Sequence, residues 1–221
     1  MHRSRALVLD FDGTILDSEW PIFQATNDLY AEFGMDAVPL DEWRETIGVA
    51  DHEMHHDYLG RVVERHPGET RAELSARRLA HRDRLMAAET IRAGIEDWVA
   101  AAAAAGLPIG VASSSTPDWV EGNLERLGLA RHVDVVAATP KGQPGKPDPA
   151  VYLRACDGLG VDPAAALAIE DSPTGLTAAI AAGMRCLIVP NRITAAMTFD
   201  GAHHLAPSLG EVNPADWLDL G

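Results

Sequence analysis

The sequence is poor in cysteine, and its two thiols show no functional spacing. Cys156 and Cys186 stand far apart, in neither a metal-binding nor a redox motif. Disulfide frameworks and zinc sites need paired or clustered cysteines, so neither is indicated. We therefore expect both cysteines to be reduced and buried, as is usual in a cytoplasmic protein.

Long apolar runs are also missing. None approaches the roughly 20 residues that a membrane-spanning helix needs, and the polar residues 1–5 do not resemble a signal peptide. Hydrophobic residues make up 47% of the 221 residues, which is enough for a compact core. The expectation is a cytoplasmic protein with no membrane partner.

Positive charge is scarce: 18 Lys and Arg stand against 33 Asp and Glu, for a formal net charge of −15. Nucleic acids and anionic membranes attract basic surfaces, so this balance argues against them as partners. A small anionic ligand is still compatible, because a metal ion and one or two well-placed cations can reverse the field locally. Any such site must be built from specific groups.

Short apolar runs that alternate with helical segments are the main pattern present. Residues 6–9 have the continuous hydrophobicity of a buried parallel strand. Further strands are predicted at 107–112, 133–137, 166–169 and 186–189, with a weaker one at 204–206, and helices at 95–105, 117–127, 149–159 and 173–182. The alternation predicts an α/β core, a Rossmann-like parallel sheet with helices on both faces.

Residues 18–89 interrupt this alternation. Apolar residues recur there at helical spacing among many charges, and strand signals are absent. We expect an inserted helical subdomain of about four helices. The predicted domains are therefore a core of residues 1–17 and 90–221 and an insert of residues 18–89.

Polar side chains follow three predicted strands at their ends, and the ends of parallel strands meet at one edge of a sheet. These residues are Asp10 and Asp12, then Ser113 and Ser114, then Glu170 and Asp171. Lys146 lies in a Gly/Pro-rich loop just before a helix. An acidic pair alone is more often a helix cap or a solvated turn than a metal site. Four segments that converge favour a functional site.

Four short motifs resemble those of the haloacid dehalogenase-like hydrolases. They are DFDGT at 10–14, VASS at 111–114, GKPDP at 145–149 and IEDSPTG at 169–175, and their order and separation also fit. The resemblance covers essentially the whole chain, with the helical insert where this family places a cap. The most similar branch contains phosphoglycolate phosphatases, sugar-phosphate phosphatases and β-phosphoglucomutases.

The resemblance implies a phosphatase that acts on small phosphate monoesters. Asp10 would be the nucleophile that forms an aspartyl phosphate. Asp12 would protonate the leaving oxygen and then activate water. Mg²⁺ would be held by Asp10, Asp171 and the backbone carbonyl of Asp12, with Glu170 as a ligand or linked through a water molecule.

The same resemblance assigns the phosphate-binding groups. Ser113 and the backbone N–H of Ser114 would hold phosphate oxygens, and Lys146 would neutralise charge on the phosphoryl group and on Asp10. Gly13 permits a turn and a close approach of the backbone. The expected partner is a small phosphorylated metabolite, and the expected state is a monomer or a weak homo-oligomer.

A phosphosugar mutase is one alternative. β-Phosphoglucomutases carry an Arg in a cap loop where this chain has Asp51, and a His where the chain has Ile22. An anion at Asp51 would repel a second phosphate group, so hydrolysis is favoured.

A phospho-acceptor receiver domain of a signalling protein is another alternative. In receivers the acidic pair comes first and the phosphorylated Asp follows at a later strand. Here the Asp10–Asp12 motif comes first, and a receiver would not need the helical insert.

Overall fold

The protein is described from a computed structural model, which describes residues 3–47 and 56–221. The strands are β1 (Ala6–Leu9), β2 (Ile109–Ala112), β3 (Val135–Ala137), β4 (Ala166–Glu170), β5 (Arg185–Ile188) and β6 (His204–Leu205). The helices are α1 (Glu19–Glu32), α2 (Leu40–Arg44), α3 (Tyr58–Arg65), α4 (Arg71–Met86), α5 (Ile95–Ala104), α6 (Pro117–Arg126), α7 (Ala150–Leu159) and α8 (Pro173–Ala181).

The chain divides into two compact units. One is formed by Met1–Asp17 together with Thr90–Gly221, and the other by Ser18–Glu89. Within the described parts of the chain, none of the helices combines the length and the hydrophobicity that a membrane crossing requires.

The first unit contains a six-stranded sheet in the order β3-β2-β1-β4-β5-β6. Every neighbouring pair is parallel; Leu7 of β1, for example, stands opposite Ile109 of β2 and Leu167 of β4. Strands β1, β2 and β4 are buried along their whole length, as continuous apolar runs in a parallel sheet should be. The predicted α/β fold with a Rossmann-like sheet is confirmed.

Two predicted boundaries are displaced for local reasons. Strand β2 begins at Ile109 rather than Leu107, because Pro108 has no N–H and serves only through its carbonyl, which accepts from Leu7 N at 3.0 Å. Helix α7 begins at Ala150, since the carboxylate of Asp148 accepts from Ala150 N at 2.8 Å in a turn that precedes the helix.

The second unit is helical in all its described elements. Helix α1 packs along α4, and their buried side chains include Leu29 of α1 and Leu74 of α4. Helix α4 begins with a capping box, in which Thr70 and Glu73 satisfy each other's backbone N–H groups. Arg77 of α4 forms an ion pair with Glu32 of α1.

The strand order places the carboxyl ends of β2, β1 and β4 side by side at the centre of the sheet. Ligands of open parallel sheets bind at this edge. The loops that follow these three strands are therefore where a site is expected.

Candidate active site

Asp10 follows β1 and is buried at the sheet edge, with 5% of its surface exposed. Its Oδ1 accepts a hydrogen bond from Lys146 Nζ. Its Oδ2 is buried and has no hydrogen-bond partner among the described residues. An unpaired buried carboxylate oxygen is costly unless a further positive group completes its surroundings.

The pKa of Asp10 is raised to about 7. Burial is the largest cause, and the negative charge of Glu170 adds to it, whereas Lys146 acts in the opposite direction. Without a further cation, Asp10 is therefore ionised only in part near neutral pH. A cation bound at Oδ2 would favour the carboxylate form.

Lys146 lies between two carboxylates, and 6% of its side chain is exposed. Besides Asp10, its Nζ donates to Glu170 Oε1 at 2.6 Å, and it stands 4.9 Å from the ring centroid of Tyr152. Burial acts against the ammonium charge, but Asp10 and Glu170 outweigh it and raise the pKa of Lys146. Lys146 is therefore a fixed positive charge beside Asp10.

Glu170, the last residue of β4, is fully buried. Its Oε1 accepts from Lys146 Nζ and from Tyr152 Oη at 2.7 Å. Its Oε2 accepts from the backbone N–H groups of Asp171 and Ser172, at 3.0 and 3.3 Å, and from Ser172 Oγ at 3.1 Å. These donors fix the carboxylate and, through it, the ammonium group of Lys146.

Asp171 is held by groups from two other loops. Its Oδ2 accepts from Asn191 Nδ2 at 2.6 Å, and its Oδ1 from Thr14 Oγ1 at 3.4 Å. Gly13, with a φ of 85°, passes so close that a Cβ there would overlap Asp171 and lie 2.7 Å from Asn191 Nδ2. Only glycine fits both this backbone conformation and this space.

The carboxylates of Asp10, Glu170 and Asp171 form a compact acidic group, and one oxygen of each lies within 4.8 Å of the others. Together with the unpartnered Oδ2 of Asp10, this set of hard oxygen donors fits a divalent cation such as Mg²⁺ or Ca²⁺. The residues therefore satisfy the chemical requirement for the metal that the sequence resemblance implies.

The carboxylate of Asp12 is not part of this acidic group but is directed to the β2–α6 loop. Its Oδ1 accepts from Trp119 Nε1 at 2.9 Å. Its Oδ2 accepts from Ser115 Oγ at 2.6 Å and from Ser113 Oγ at 3.3 Å. The side chain of Asp12 is thus separate from the carboxylates that suit a metal.

The predicted phosphate-binding residues lie on neighbouring loops. Ser113 is buried at the end of β2, and its Oγ also accepts from Ser115 N at 3.0 Å. Ser114 is exposed, and its Oγ accepts from Lys146 N at 3.0 Å. The loop that carries Lys146 is therefore tied directly to the serine loop.

Several residues that complete the site were not predicted from the sequence. Ser115 and Trp119 hold Asp12, Tyr152 holds Glu170, and Asn191 holds Asp171.

Arg92 donates to the backbone carbonyls of Gly13 and of residues 189 and 190, and so fixes two loops at the sheet edge. Ser115 directly follows the predicted serine pair, but Trp119, Tyr152, Asn191 and Arg92 stand outside the polar clusters at the strand ends, so spacing gave no signal for them.

Gly175 on α8 offers a test of how tightly Glu170 is held. A Cβ at this position would overlap the Glu170 carboxylate. Gly175→Ala is expected to lower the free energy of unfolding by about 1–3 kcal/mol and to reduce turnover, because a displaced Glu170 no longer positions Lys146. Urea denaturation together with a phosphatase assay would measure both effects.

Gly122→Ala is the matched control for this substitution. Gly122 lies inside α6, and apart from its chain neighbours and the backbone of its own helix, no described atom is within 4 Å of the site of a Cβ. Here alanine should stabilise the helix by up to about 1 kcal/mol. A similar loss of stability in both variants would contradict the account of Gly175.

Comparison with known proteins assigns the chain to a family. Residues 7–189 match the haloacid dehalogenase-like hydrolase family. The chain belongs to this family, and the resemblance found in its motifs is confirmed. Its family and its phosphatase relatives identify it as a hydrolase of phosphoric monoesters.

Two relatives align with most of the chain. YhcW of Bacillus subtilis (strain 168) is 38% identical over 216 residues, covering 97% of this chain and 96% of YhcW. Hexitol phosphatase B of Escherichia coli (strain K12) is 33% identical over 192 residues, covering 84% of this chain and 83% of that enzyme.

A solved structure gives the same fold with a ligand. A variant of CbbY from Rhodobacter sphaeroides, in complex with xylulose 1,5-bisphosphate, superposes with a TM-score of 0.72 and 29% identity. The match covers 95% of this chain and 96% of CbbY. Relatives of this chain thus include a protein that binds a small phosphorylated sugar.

Proposed function

We propose that this protein is a Mg²⁺-dependent phosphatase that hydrolyses small phosphate monoesters, such as sugar phosphates or phosphoglycolate-like esters, through an aspartyl phosphate on Asp10. The observation that carries the proposal is the state of the Asp10 carboxylate. One oxygen is held by Lys146. The other is buried, has no hydrogen-bond partner in the described part of the chain and belongs to an acidic group suited to a cation. That arrangement suits a nucleophile that must approach an anionic phosphate.

In the first chemical step, an oxygen of Asp10 attacks phosphorus and the bond from phosphorus to the ester oxygen breaks. Asp12 donates its proton to the departing oxygen, which leaves as an alcohol. Lys146 stays protonated throughout and offsets the negative charge beside Asp10. Ser113 and the backbone N–H of Ser114 bind the phosphate oxygens.

In the second step, the now ionised Asp12 takes a proton from a water molecule, whose oxygen attacks phosphorus. The bond from phosphorus to Asp10 breaks, which releases inorganic phosphate and regenerates the Asp10 carboxylate. Mg²⁺, held by Asp10, Asp171 and the backbone carbonyl of Asp12 beside Glu170, would supply positive charge that lets the two anions meet.

The helical unit Ser18–Glu89 is proposed to act as a cap that reads the non-phosphate part of the substrate. Supporting this, the two segments that connect it to the core lie together. Leu16 and Ile91 form an antiparallel bridge, and Arg92 N donates to Ile15 O at 2.9 Å. The insert thus leaves and re-enters the core through one paired connection, which suits a hinge.

Cation binding is expected to weaken as the pH falls. A metal ligand must be deprotonated, and the pKa of Asp10 is raised to about 7. The apparent dissociation constant for Mg²⁺ should therefore rise roughly tenfold between about pH 8 and pH 6. Calorimetric titration of the protein with Mg²⁺ would measure this change. Affinity independent of pH over that range would contradict the assignment of Asp10 as a ligand.

The proposed function is tested by assaying a panel of phosphorylated metabolites with Mg²⁺ and with EDTA. Release of inorganic phosphate from sugar phosphates or phosphoglycolate, lost in EDTA, is the expected result. The panel includes β-glucose 1-phosphate with a bisphosphate primer, because conversion to glucose 6-phosphate without phosphate release would identify a mutase instead. Residues 48–51, which include the Asp51 that favours hydrolysis over mutase activity, lie outside the described residues.

A further inference from the structure

The carboxylate of Asp12 accepts hydrogen bonds from donors on one short stretch of chain. Trp119 Nε1 lies 2.9 Å from Oδ1, and Ser115 Oγ lies 2.6 Å from Oδ2. Both belong to the segment that joins β2 to α6 and forms the first turn of that helix. Neither residue belongs to the motifs from which the function was inferred.

Trp119 is itself held in place by the helix that carries it. Pro117 occupies the first position of α6, and Trp119 N donates to Thr116 O at 3.1 Å. The carbonyl of Trp119 accepts from Asn123 Nδ2 at 2.9 Å. The indole ring is partly buried. The indole N–H therefore donates to Asp12 from a backbone that is anchored in the first turn of α6.

The two partners of Asp12 differ chemically. An indole N–H can only donate a hydrogen bond, so Asp12 Oδ1 is its acceptor in both chemical steps. A serine hydroxyl can donate or accept, so Ser115 and Ser113 can adjust to either form of the acid at Oδ2. Oδ2 also lies 3.3 Å from Ser113 Oγ, the predicted phosphate-binding hydroxyl. Oδ1 is thus held by a donor that cannot change its role, whereas Oδ2 is shared with hydroxyls, one of which is the predicted phosphate-binding group.

We propose that Trp119 is a positioning residue for Asp12, and that with Ser115 it holds this carboxylate in the direction needed for proton transfer to and from the substrate. The inference rests on the proposed function, in which Asp12 is the general acid and base. It adds a residue outside the family motifs to the machinery of proton transfer.

The test compares p-nitrophenyl phosphate with phenyl phosphate in wild type and in Trp119→Phe, by rapid-mixing measurement of phenol release. p-Nitrophenolate is a good leaving group that needs little help from an acid, whereas phenolate needs a proton. Trp119→Phe is expected to slow phenol release by about tenfold to a hundredfold, because part of the rate contribution of the general acid is lost. The release of p-nitrophenol should slow by less than about threefold.

A second readout follows from the base step. With p-nitrophenyl phosphate, Trp119→Phe should show a burst of p-nitrophenol followed by a slower steady rate, because the aspartyl phosphate then waits for water to be activated. A role limited to packing would slow both aryl substrates by the same factor and give no burst. Equal slowing of the two substrates, or no slowing of either, would overturn the proposal.

Trp98→Phe is the matched control. Trp98 is buried in the same unit, and its Nε1 donates to Val212 O at 3.2 Å, away from the acidic group. Trp98→Phe should leave the ratio of the phenol and p-nitrophenol release rates unchanged. If Trp119→Phe does not fold, Ser115→Ala removes the other donor to Asp12 and should change the ratio in the same direction; an unchanged ratio would overturn the proposal.

The result also separates this inference from the proposed function. Asp12→Asn should show a larger difference between the phenol and p-nitrophenol release rates than Trp119→Phe does. Asp10→Asn should be inactive with both substrates. If those two outcomes hold while Trp119→Phe and Ser115→Ala behave as wild type, only the positioning role fails. If Asp10→Asn is active, the proposed function itself fails.

Discussion

Asp10→Asn is expected to lower the turnover of p-nitrophenyl phosphate by about 10⁴-fold or more, as loss of a covalent nucleophile does in other hydrolases. A carboxamide is neutral and a far weaker nucleophile than a carboxylate. The measurement is steady-state phosphatase activity in the presence of Mg²⁺. Activity like that of the wild type would refute the assignment of Asp10 as the nucleophile.

A measurement of the stability of Asp10→Asn distinguishes loss of catalysis from loss of folding. The pKa of Asp10 is raised by burial, so the folded state holds the proton more tightly than the unfolded state. The contribution of Asp10 to stability is therefore largest at acidic pH and is lost as the pH rises through about 7. Without metal at about pH 8, Asp10→Asn should be at least as stable as the wild type, because Lys146 keeps Glu170 as its partner and one of two buried carboxylates that repel each other is removed.

Asp134→Asn is the matched control for this substitution. Asp134 lies beside the same sheet, where its Oδ2 accepts from Ile109 N at 2.8 Å, and an asparagine oxygen can keep that bond. This variant should retain its activity. Inactivity of both variants would mean that the loss in Asp10→Asn is not specific to the nucleophile.

Lys146→Met should lower both activity and stability. Removal of the ammonium group leaves Asp10 and Glu170 buried without the cation between them. Breaking such a buried pair is expected to cost about 3–5 kcal/mol of unfolding free energy, and loss of the electrostatic contribution about 10²–10³-fold in turnover. Because both carboxylates repel each other when ionised, the loss of stability should grow as the pH rises.

Urea denaturation at about pH 6 and pH 8, together with turnover at saturating Mg²⁺, would check these effects. Lys141→Met is the control, since Lys141 lies in the same loop and is exposed. It should change neither quantity appreciably. A loss of stability in Lys146→Met that is equal at both pH values, or unchanged turnover, would contradict the role given to Lys146.

The sheet and its acidic edge could be predicted because their signals are local. A buried parallel strand is a continuous apolar run, and Asp10, Ser113 and Glu170 each stand directly after such a run. Boundaries were less accurate where one side chain decides them. Pro108 delays the start of β2, and the turn at Asp148 delays α7.

The remainder of the site depends on tertiary contacts that no local pattern reports. Asn191 reaches Asp171 only because β5 lies beside β4 in the sheet. Trp119 reaches Asp12 because β2 lies beside β1 and its following helix begins at the same edge. In the sequence, an Asn after a proline and a Trp in a helical turn have more common explanations in turns and packing.

The central claim is that Asp10 becomes phosphorylated during turnover. Acid quenching of Asp12→Asn a few milliseconds after mixing with p-nitrophenyl phosphate and Mg²⁺, followed by peptide mass spectrometry, tests this most directly, because this variant lacks the base that would clear the intermediate. The account predicts that the peptide containing Asp10 is heavier by one phosphoryl group. Phosphate attached to another residue, or release of p-nitrophenol with Asp10 never modified, would contradict it.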